Sequence, residues 1–70
     1  MNINNLGQNI KRIREKREIK QEVLAKAIGI KRENISLYET GKTIPTLKTM
    51  IKIAKYLDTT IDYLLSDTKD

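Results

Sequence analysis

The sequence contains no cysteine and no histidine, and both absences restrict what the chain can do. Without cysteine it has no disulfide and no thiolate metal site. Without histidine it lacks the usual general base of enzymes and the commonest metal ligand in proteins. A chain of 70 residues without such links must be stabilised by packing alone, which favours compact helices with local contacts. We therefore expect no enzyme activity, no metal site and no cofactor.

Long apolar runs are also missing. No stretch of the sequence approaches the roughly 20 residues that a membrane-spanning helix needs. The N-terminal segment MNINNLGQNIKRI has no basic region followed by an apolar stretch, so it does not resemble a signal peptide. We expect a cytoplasmic protein with no membrane partner, organised as a single domain over residues 1–70.

Positive charge is abundant, and it is concentrated in one part of the chain. The formal net charge is +5; residues 1–42 carry ten Lys and Arg against five Asp and Glu, whereas residues 43–70 carry four of each. A one-sided basic excess suits a polyanionic partner, because Lys and Arg release counterions when they meet phosphates. A solvated helix face is the alternative, since Glu15 and Glu18 partly neutralise the densest run, KRIREKREIK. Charge alone leaves both interpretations open.

Apolar residues recur at helical spacing along the whole chain, and strand-like alternation is nearly absent. The spacing predicts five helices and a polar tail, at about residues 5–16, 20–28, 31–39, 47–57, 61–65 and 66–70. Gly29 and Gly41 are expected to end the second and third helices in the left-handed conformation. Thr46 and Thr60 are the expected N-caps of the fourth and fifth helices, and Pro45 keeps the residue before it extended.

Five short helices cannot pair along their length, so we expect them to cross at steep angles around one small core. The predicted core consists of apolar residues on the inward stripe of each element: Leu6, Ile10, Ile13, Leu24, Ile28, Ile30, Ile35, Ile44, Leu47, Met50, Ala54, Leu57, Ile61 and Leu64. Along the fourth helix, Ile51 is also expected to face inward.

The second and third helices are separated by a very short turn around Gly29. Such a turn is typical of helix-turn-helix units, whose helices cross at roughly 90–120°. With Ile35 toward the core, steps of about 100° per residue place Lys31, Tyr38 and Glu39 on the inward side. The same steps place a set of mostly polar residues outward: Glu33, Asn34, Ser36, Leu37 and Thr40. A polar face on a helix about 13 Å long fits the major groove of B-DNA, although a merely solvated face is the alternative.

Several segments together resemble the phage repressor/Cro-type, XRE-like family of helix-turn-helix proteins. The matching segments cover nearly everything from Leu6 to Leu65 and are LGQNIKRIRE, QEVLAKAIGI, ISLYETGKTIPT and LKTMIKIAKYLDTTIDYLL. The resemblance implies an all-α, compact five-helix, lambda-repressor-like DNA-binding domain with a helix-turn-helix. It also implies a sequence-specific transcriptional regulator, a repressor that binds a near-palindromic operator in double-stranded DNA as a homodimer.

The resemblance further implies roles for individual residues. In this family the second helix lies across the DNA backbone and the third enters the major groove. The matching base-contacting positions are Arg32, Glu33, Ser36 and Leu37. The matching phosphate-contacting positions are Gln21, Lys31, Asn34, Thr40 and Lys42. A structural ion pair is expected between Arg14 and Glu39, and dimer contacts are expected from Ile61, Tyr63 and Leu65.

The sequence departs from the family pattern at Lys20 and Lys31, where Ser or Thr is common. Helix starts without a hydroxyl cap are weaker, which leaves open whether Arg32 or Glu33 points at the bases. A second class of function also stays open, because the same fold serves as an antitoxin or as a protein-interaction module of a larger assembly.

Overall fold

The computed structural model describes residues 5–67 and confirms an all-α architecture. Within that range it contains five helices and no strand: α1 (Leu6–Lys16), α2 (Gln21–Ile28), α3 (Arg32–Glu39), α4 (Leu47–Tyr56) and α5 (Ile61–Leu65). The first three helices each begin one residue later than predicted, and α4 ends one residue earlier. Residues 68–70 of the predicted polar tail lie outside the described residues.

The helices cross around one small core. α2 packs against α3 and α4, while α1 packs against α3 and α5. Large side chains that are less than 2% exposed come from all five helices: Ile10, Leu24, Ile35, Ile53, Leu57 and Leu64. The predicted core residues Ile30, Met50 and Ile61 are half-buried and pack against this cluster. The small core therefore contacts every helix of the described range.

Two predicted core residues, Ile44 and Leu47, are exposed instead, at 61% and 62%. Ile44 lies in an extended segment, where successive side chains point to opposite sides, and the buried neighbour is Pro45. Leu47 occupies the first turn of α4, and exposure falls along the same helix face through half-buried Met50 to Ala54, which is 5% exposed. The first turn of α4 therefore extends beyond the edge of the core.

The inward stripe of α4 also differs from the prediction at one position. Ile51 is 40% exposed, whereas Ile53, which was not predicted, is fully buried. Ile53 lies three residues after Met50 and four before Leu57, so it shares their face; Ile51 lies four residues after exposed Leu47. The helical spacing along α4 therefore predicts that Ile53 is buried and Ile51 is exposed.

The turn between α2 and α3 is closed by backbone hydrogen bonds around Gly29. Gly29 has a φ of 78°, as expected for a left-handed helix end. Its N–H donates to the Lys26 carbonyl at 3.3 Å, and the Ile30 N–H donates to the Ala25 carbonyl at 3.0 Å. These two bonds satisfy the last turn of α2 and form a Schellman motif, which fixes the direction in which the chain leaves the helix.

The same motif ends α1, α3 and α4. Gly41 supplies the left-handed residue after α3, as predicted. After α1 and α4 this residue is not glycine: Glu18 has a φ of 58° and Asp58 a φ of 56°. The Ile19 and Thr59 N–H groups then donate back to the last turn of each helix at 3.0 and 2.8 Å. Glutamate is rarely left-handed, so nothing in the sequence marked Glu18 for this role.

The N-terminal caps follow the sequence prediction. The Thr46 hydroxyl accepts a hydrogen bond from the Thr49 N–H at 3.2 Å, and the Thr60 hydroxyl accepts one from the Tyr63 N–H at 3.0 Å. Lys20 and Lys31 precede α2 and α3 in extended conformation without a side-chain cap.

The first turns of α1 contact both α3 and α5 closely. A Cβ atom on Gly7 would meet the carbonyl oxygen of Tyr38 well inside van der Waals distance, so glycine permits the close approach of α1 to α3. The buried Asn9 amide donates to the carbonyls of Leu64 and Ser66, both at 2.7 Å. Asn9 therefore caps the end of α5, a role the sequence prediction missed.

Candidate nucleic-acid interface

Three residues, Gly29 to Lys31, connect α2 to α3 and set the start of α3 at the surface. Lys31 is the N-cap, with φ and ψ of −82° and 147°, and its side chain is exposed. The prediction that Lys31 faces inward is wrong, because its backbone is extended and the helical step does not yet apply there. Its ammonium group is therefore available to solvent at the N-terminal end of α3.

α3 is anchored to the rest of the molecule along one side. Ile35 is fully buried, Glu39 is 7% exposed, and half-buried Tyr38 packs against the core. Arg32 and Glu33, in the first turn, are exposed. The remaining predicted contact residues on α3 are half-buried, namely Asn34, Ser36 and Leu37. α3 therefore exposes charged side chains in its first turn, while the side that carries Ile35 and Glu39 is fixed by packing.

The carboxylate of Glu39 and the guanidinium of Arg14 form a buried ion pair between α3 and α1. Arg14 Nε donates to Glu39 Oε2 at 2.6 Å and Nη2 donates to Oε1 at 3.1 Å. Arg14 Nη1 also donates to the Ile19 carbonyl at 2.7 Å, which joins the turn after α1 to the pair. The hydrogen bonds that Arg14 donates to Glu39 raise the pKa of Arg14 above its ordinary value, against the opposing effect of burial. The guanidinium therefore remains charged, and the pair fixes the C-terminal end of α3.

Gln21, the first residue of α2, connects this pair to the start of α3. Its Nε2 donates to Glu39 Oε1 at 2.9 Å, and its Oε1 accepts from Arg32 Nη1 at 3.3 Å. The sequence placed Gln21 and Arg32 in the interface but gave no signal for a contact between them. Such a contact depends on the crossing of α2 and α3, which periodicity does not specify.

The remaining predicted phosphate contacts, Thr40 and Lys42, lie just after the C-terminal end of α3. Lys42 is exposed, and its N–H donates to the Leu37 carbonyl at 2.9 Å, which fixes the backbone just after the helix. The Thr40 hydroxyl donates to the Ser36 carbonyl at 2.9 Å. Its single hydrogen is thereby used within the helix, so a phosphate contact from Thr40 requires its side chain to rotate.

The residues predicted for a dimer contact belong to the edge of the core. Ile61, Tyr63 and Leu65 are each half-buried and pack against the central cluster. Each of them keeps a part of its surface exposed on or beside α5.

In residues 5–67, no group of three or more acidic side chains is placed to hold a metal ion. No helix in that range has the length and apolarity required to cross a membrane.

The comparisons with known proteins agree with the architecture described above. A helix-turn-helix family model matches residues 10–64. The chain is 38% identical over 59 residues to the uncharacterized HTH-type transcriptional regulator YqaE of Bacillus subtilis, covering 84% of this chain and 51% of YqaE. It is 34% identical over 65 residues to repressor protein C2 of Salmonella phage P22, covering 93% of this chain and 30% of C2. The chain spans about half the length of YqaE, and less of C2.

Among solved structures, the P22 c2 repressor protein in complex with a synthetic operator superposes with a TM-score of 0.84. The two are 32% identical, and the match covers 90% of this chain and 96% of that chain. The family model, the phage relative and the five-helix architecture all agree with the resemblance seen in the sequence. The chain therefore belongs to the XRE-like helix-turn-helix family that includes the phage repressors.

Proposed function

We propose that this chain binds double-stranded DNA sequence-specifically, as the DNA-binding part of a transcriptional regulator, with α3 in the major groove. The observation that carries the proposal is the first turn of α3, which exposes Arg32 and Glu33 while Ile35 and Glu39 fix the helix from behind. α3 has 8 residues and is therefore about 12 Å long, similar to the width of the major groove. The operator complex of the P22 c2 repressor supports the same partner.

The residues of α3 offer distinct chemistry to base edges. Arg32 is suited to donate two hydrogen bonds to O6 and N7 of guanine, and the Glu33 carboxylate is suited to accept from N4 of cytosine. Ser36 can donate or accept, and Leu37 offers an apolar surface to a thymine methyl group. Because Glu33 also repels phosphates, it disfavours any sequence that leaves its carboxylate without a donor.

Phosphate contacts would position these residues on the duplex. Lys31 and Lys42 lie near opposite ends of α3 and are both exposed, so each can approach a phosphate. The first turn of α2 adds the positive end of a helix dipole, and the amide of Gln21 has a second N–H besides the one used by Glu39. Asn34 and Thr40 complete the proposed set.

We propose further that two copies bind one near-palindromic operator and act as a repressor. Their α3 helices would enter successive major grooves about 34 Å apart. Ile61, Tyr63 and Leu65 would contribute the dimer contact with the exposed parts of their side chains. Occupancy of the operator would then block access of RNA polymerase to the promoter.

Selection of bound duplexes from a random pool, at stated salt, tests the proposal. The expected product is a pair of related half-sites about one helical turn apart. On the enriched duplex, Arg32→Ala should reduce affinity by about 1–3 kcal/mol and remove the preference at one base position. Lys42→Ala should weaken the enriched and a scrambled duplex alike and make the salt slope shallower by about one unit.

Lys52→Ala is the matched control for Lys42→Ala, because Lys52 is an exposed lysine beside Ala27 and Ile28. Ala27 and Ile28 lie at the C-terminal end of α2, whereas Gln21, in the proposed interface, lies at its N-terminal end. Lys52→Ala should therefore change neither the affinity for DNA nor the salt slope. If Arg32→Ala also lost equal affinity for the enriched and the scrambled duplex, as Lys42→Ala is expected to do, the division of roles would be contradicted. A pool with no enriched sequence would instead favour the protein-interaction class of function.

A further inference from the structure

A shallow groove lies between the C-terminal end of α2 and the last turns of α4. Its volume is about 420 Å³, and it is lined by Ala27, Ile28, Lys52, Lys55 and Tyr56. Ile28 belongs to the buried core, whereas Tyr56 is 43% exposed. None of these residues takes part in the proposed DNA contact. The groove therefore combines apolar surface with two lysine side chains at a site that the proposed function leaves unused.

The lysines of the groove belong to a longer row of positive charge along α4. Lys48, Lys52 and Lys55 are exposed and are separated by four and three positions, so they lie on one face of the helix. The sequence of α4, LKTMIKIAKY, contains no acidic residue. Among residues 5–67, no carboxylate forms an ion pair with any of these three ammonium groups. Within that range their mutual repulsion is therefore not offset by an opposite charge.

Exposed apolar side chains border this row of lysines on both sides. With steps of about 100° per residue, Leu47 and Ile51 lie on one side of the three lysines and Tyr56 lies on the other. Leu47 is 62% exposed and Ile51 is 40% exposed. Such a surface is complementary to a segment that carries a row of carboxylates between apolar side chains.

We propose that the exposed face of α4, together with the groove, binds an acidic amphipathic segment of another protein. Carboxylates of this segment pair with Lys48, Lys52 and Lys55, which removes the repulsion among the three ammonium groups. An apolar or aromatic side chain of the segment fills the groove beside Tyr56, as in other complexes of an amphipathic helix with a groove. The inference goes beyond the proposed function, because it uses a different surface and a different class of partner.

Two other occupants fit this face less well. A second copy of the chain that used the same face would place three lysines against three, which like-charge repulsion disfavours. A DNA duplex offers phosphates to the lysines, but it would also bring charged groups against the exposed apolar surface of Leu47, Ile51 and Tyr56. An acidic amphipathic segment satisfies both the charge and the apolar surface.

Selection from a random displayed peptide library, with the purified protein as the immobilised target, tests the inference. Peptides of about 12 residues are long enough, as a helix, to extend along the 10 residues of α4. Enriched peptides should carry several carboxylates together with aliphatic or aromatic residues. One enriched peptide is then synthesised with a fluorescent label, and its affinity, measured by anisotropy, should fall as salt rises.

Variants of the face locate the binding site of this peptide. Lys52→Glu should weaken binding by about 10-fold or more at low salt, because it replaces attraction with repulsion. Tyr56→Ala should weaken it by a similar factor, because it removes the aromatic side chain of the groove. Lys11→Glu is the matched control, since Lys11 is an exposed lysine of α1 and the change in net charge is the same. The control should change the affinity by less than about 2-fold.

Circular dichroism melts check that each variant is folded, and Lys55→Glu replaces any that is not. A library that yields no acidic consensus, or a peptide that binds wild type, Lys52→Glu and Tyr56→Ala equally, would overturn the inference.

The other occupants give different results, which would also overturn it. Displacement of the peptide by double-stranded DNA, with loss of DNA affinity in Lys52→Glu, would assign the face to DNA. A smaller oligomer of Lys52→Glu than of wild type in sedimentation would assign it to a second copy. The proposed function fails separately, when selection from random duplexes enriches no sequence, and peptide binding does not depend on that result.

Discussion

A buried carboxylate is stable only when its charge is matched, and Glu39 is matched by the two hydrogen bonds of Arg14. Their side chains are 2% and 9% exposed, so water cannot replace either partner. The pair joins α1 to the C-terminal end of α3 and supports Gln21 at the start of α2. At the scale of the residue, this contact fixes the helix that the proposal places in DNA.

Glu39→Ala should therefore destabilise the protein by about 3–5 kcal/mol, because Arg14 would remain buried and unpaired. Glu15→Ala is the control: Glu15 also lies near Arg14, at 3.9 Å, but its side chain is 58% exposed. The Glu15→Ala substitution should change the free energy of unfolding by less than about 1 kcal/mol. Thermal and urea unfolding measure both, and a wild-type melting midpoint for Glu39→Ala would remove the ion pair from the account.

Gly7 provides a second test, of the close contact between α1 and α3. Alanine normally stabilises a helix relative to glycine by about 1 kcal/mol. Here its Cβ would collide with the backbone carbonyl of Tyr38, which cannot rotate away, so Gly7→Ala should destabilise by about 1–3 kcal/mol. Gln8→Ala, at the next and exposed position, should stay within about 0.5 kcal/mol of wild type. A more stable Gly7→Ala protein would show that α1 and α3 are not in close contact.

The C-terminal end of each of the first four helices depends on one residue with positive φ, and two of these residues could be predicted from the sequence. Gly29 and Gly41 mark the ends of α2 and α3 because glycine tolerates positive φ. Glu18 and Asp58 adopt the same conformation at about 1–2 kcal/mol of strain, which packing on either side maintains. These ends explain how four helices turn sharply within a short chain.

Replacing Glu18 by glycine should relieve this strain and stabilise the protein by about 0.5–1 kcal/mol. Glu22→Gly, an exposed glutamate inside α2, should destabilise by about 1 kcal/mol and is the matched control. Gly29→Ala reverses the first change: no neighbouring atom blocks its Cβ, but the left-handed backbone should make it about 1–2 kcal/mol less stable. Chemical unfolding measures the free energy of unfolding of all three variants. Equal stability of Glu18→Gly and Glu22→Gly would contradict the assignment of backbone strain to Glu18.

Sequence periodicity predicted the five helices because the apolar stripe of each one meets the same core. It failed at Leu47 because a pattern gives the phase of a side chain but not where the core ends, and at Ile44 because that residue lies in an extended segment, where helical spacing does not apply. It also gave no account of Asn9, whose amide contacts two carbonyls more than fifty residues away. Contacts between distant polar groups arise only when crossing angles are known, and the Gln21 contacts belong to this class.

At the scale of the whole molecule, basic residues occur on more than one surface. Lys31, Arg32 and Lys42 lie around α3, but Lys48, Lys52 and Lys55 recur along one face of α4 and are also exposed. Net positive charge favours DNA binding without choosing between the two surfaces. The proposal places DNA at α3, because its first turn is exposed while Ile35 and Glu39 pack its other side against the protein.

The most direct test is a map of the surface that contacts DNA, from amide chemical shifts recorded while the enriched duplex is added to labelled protein. The account predicts that the largest changes occur at Gln21, along 31–37 and at Lys42, and that α4 lysines change little. Changes concentrated on Lys48, Lys52 and Lys55, or no changes at low ionic strength, would contradict it.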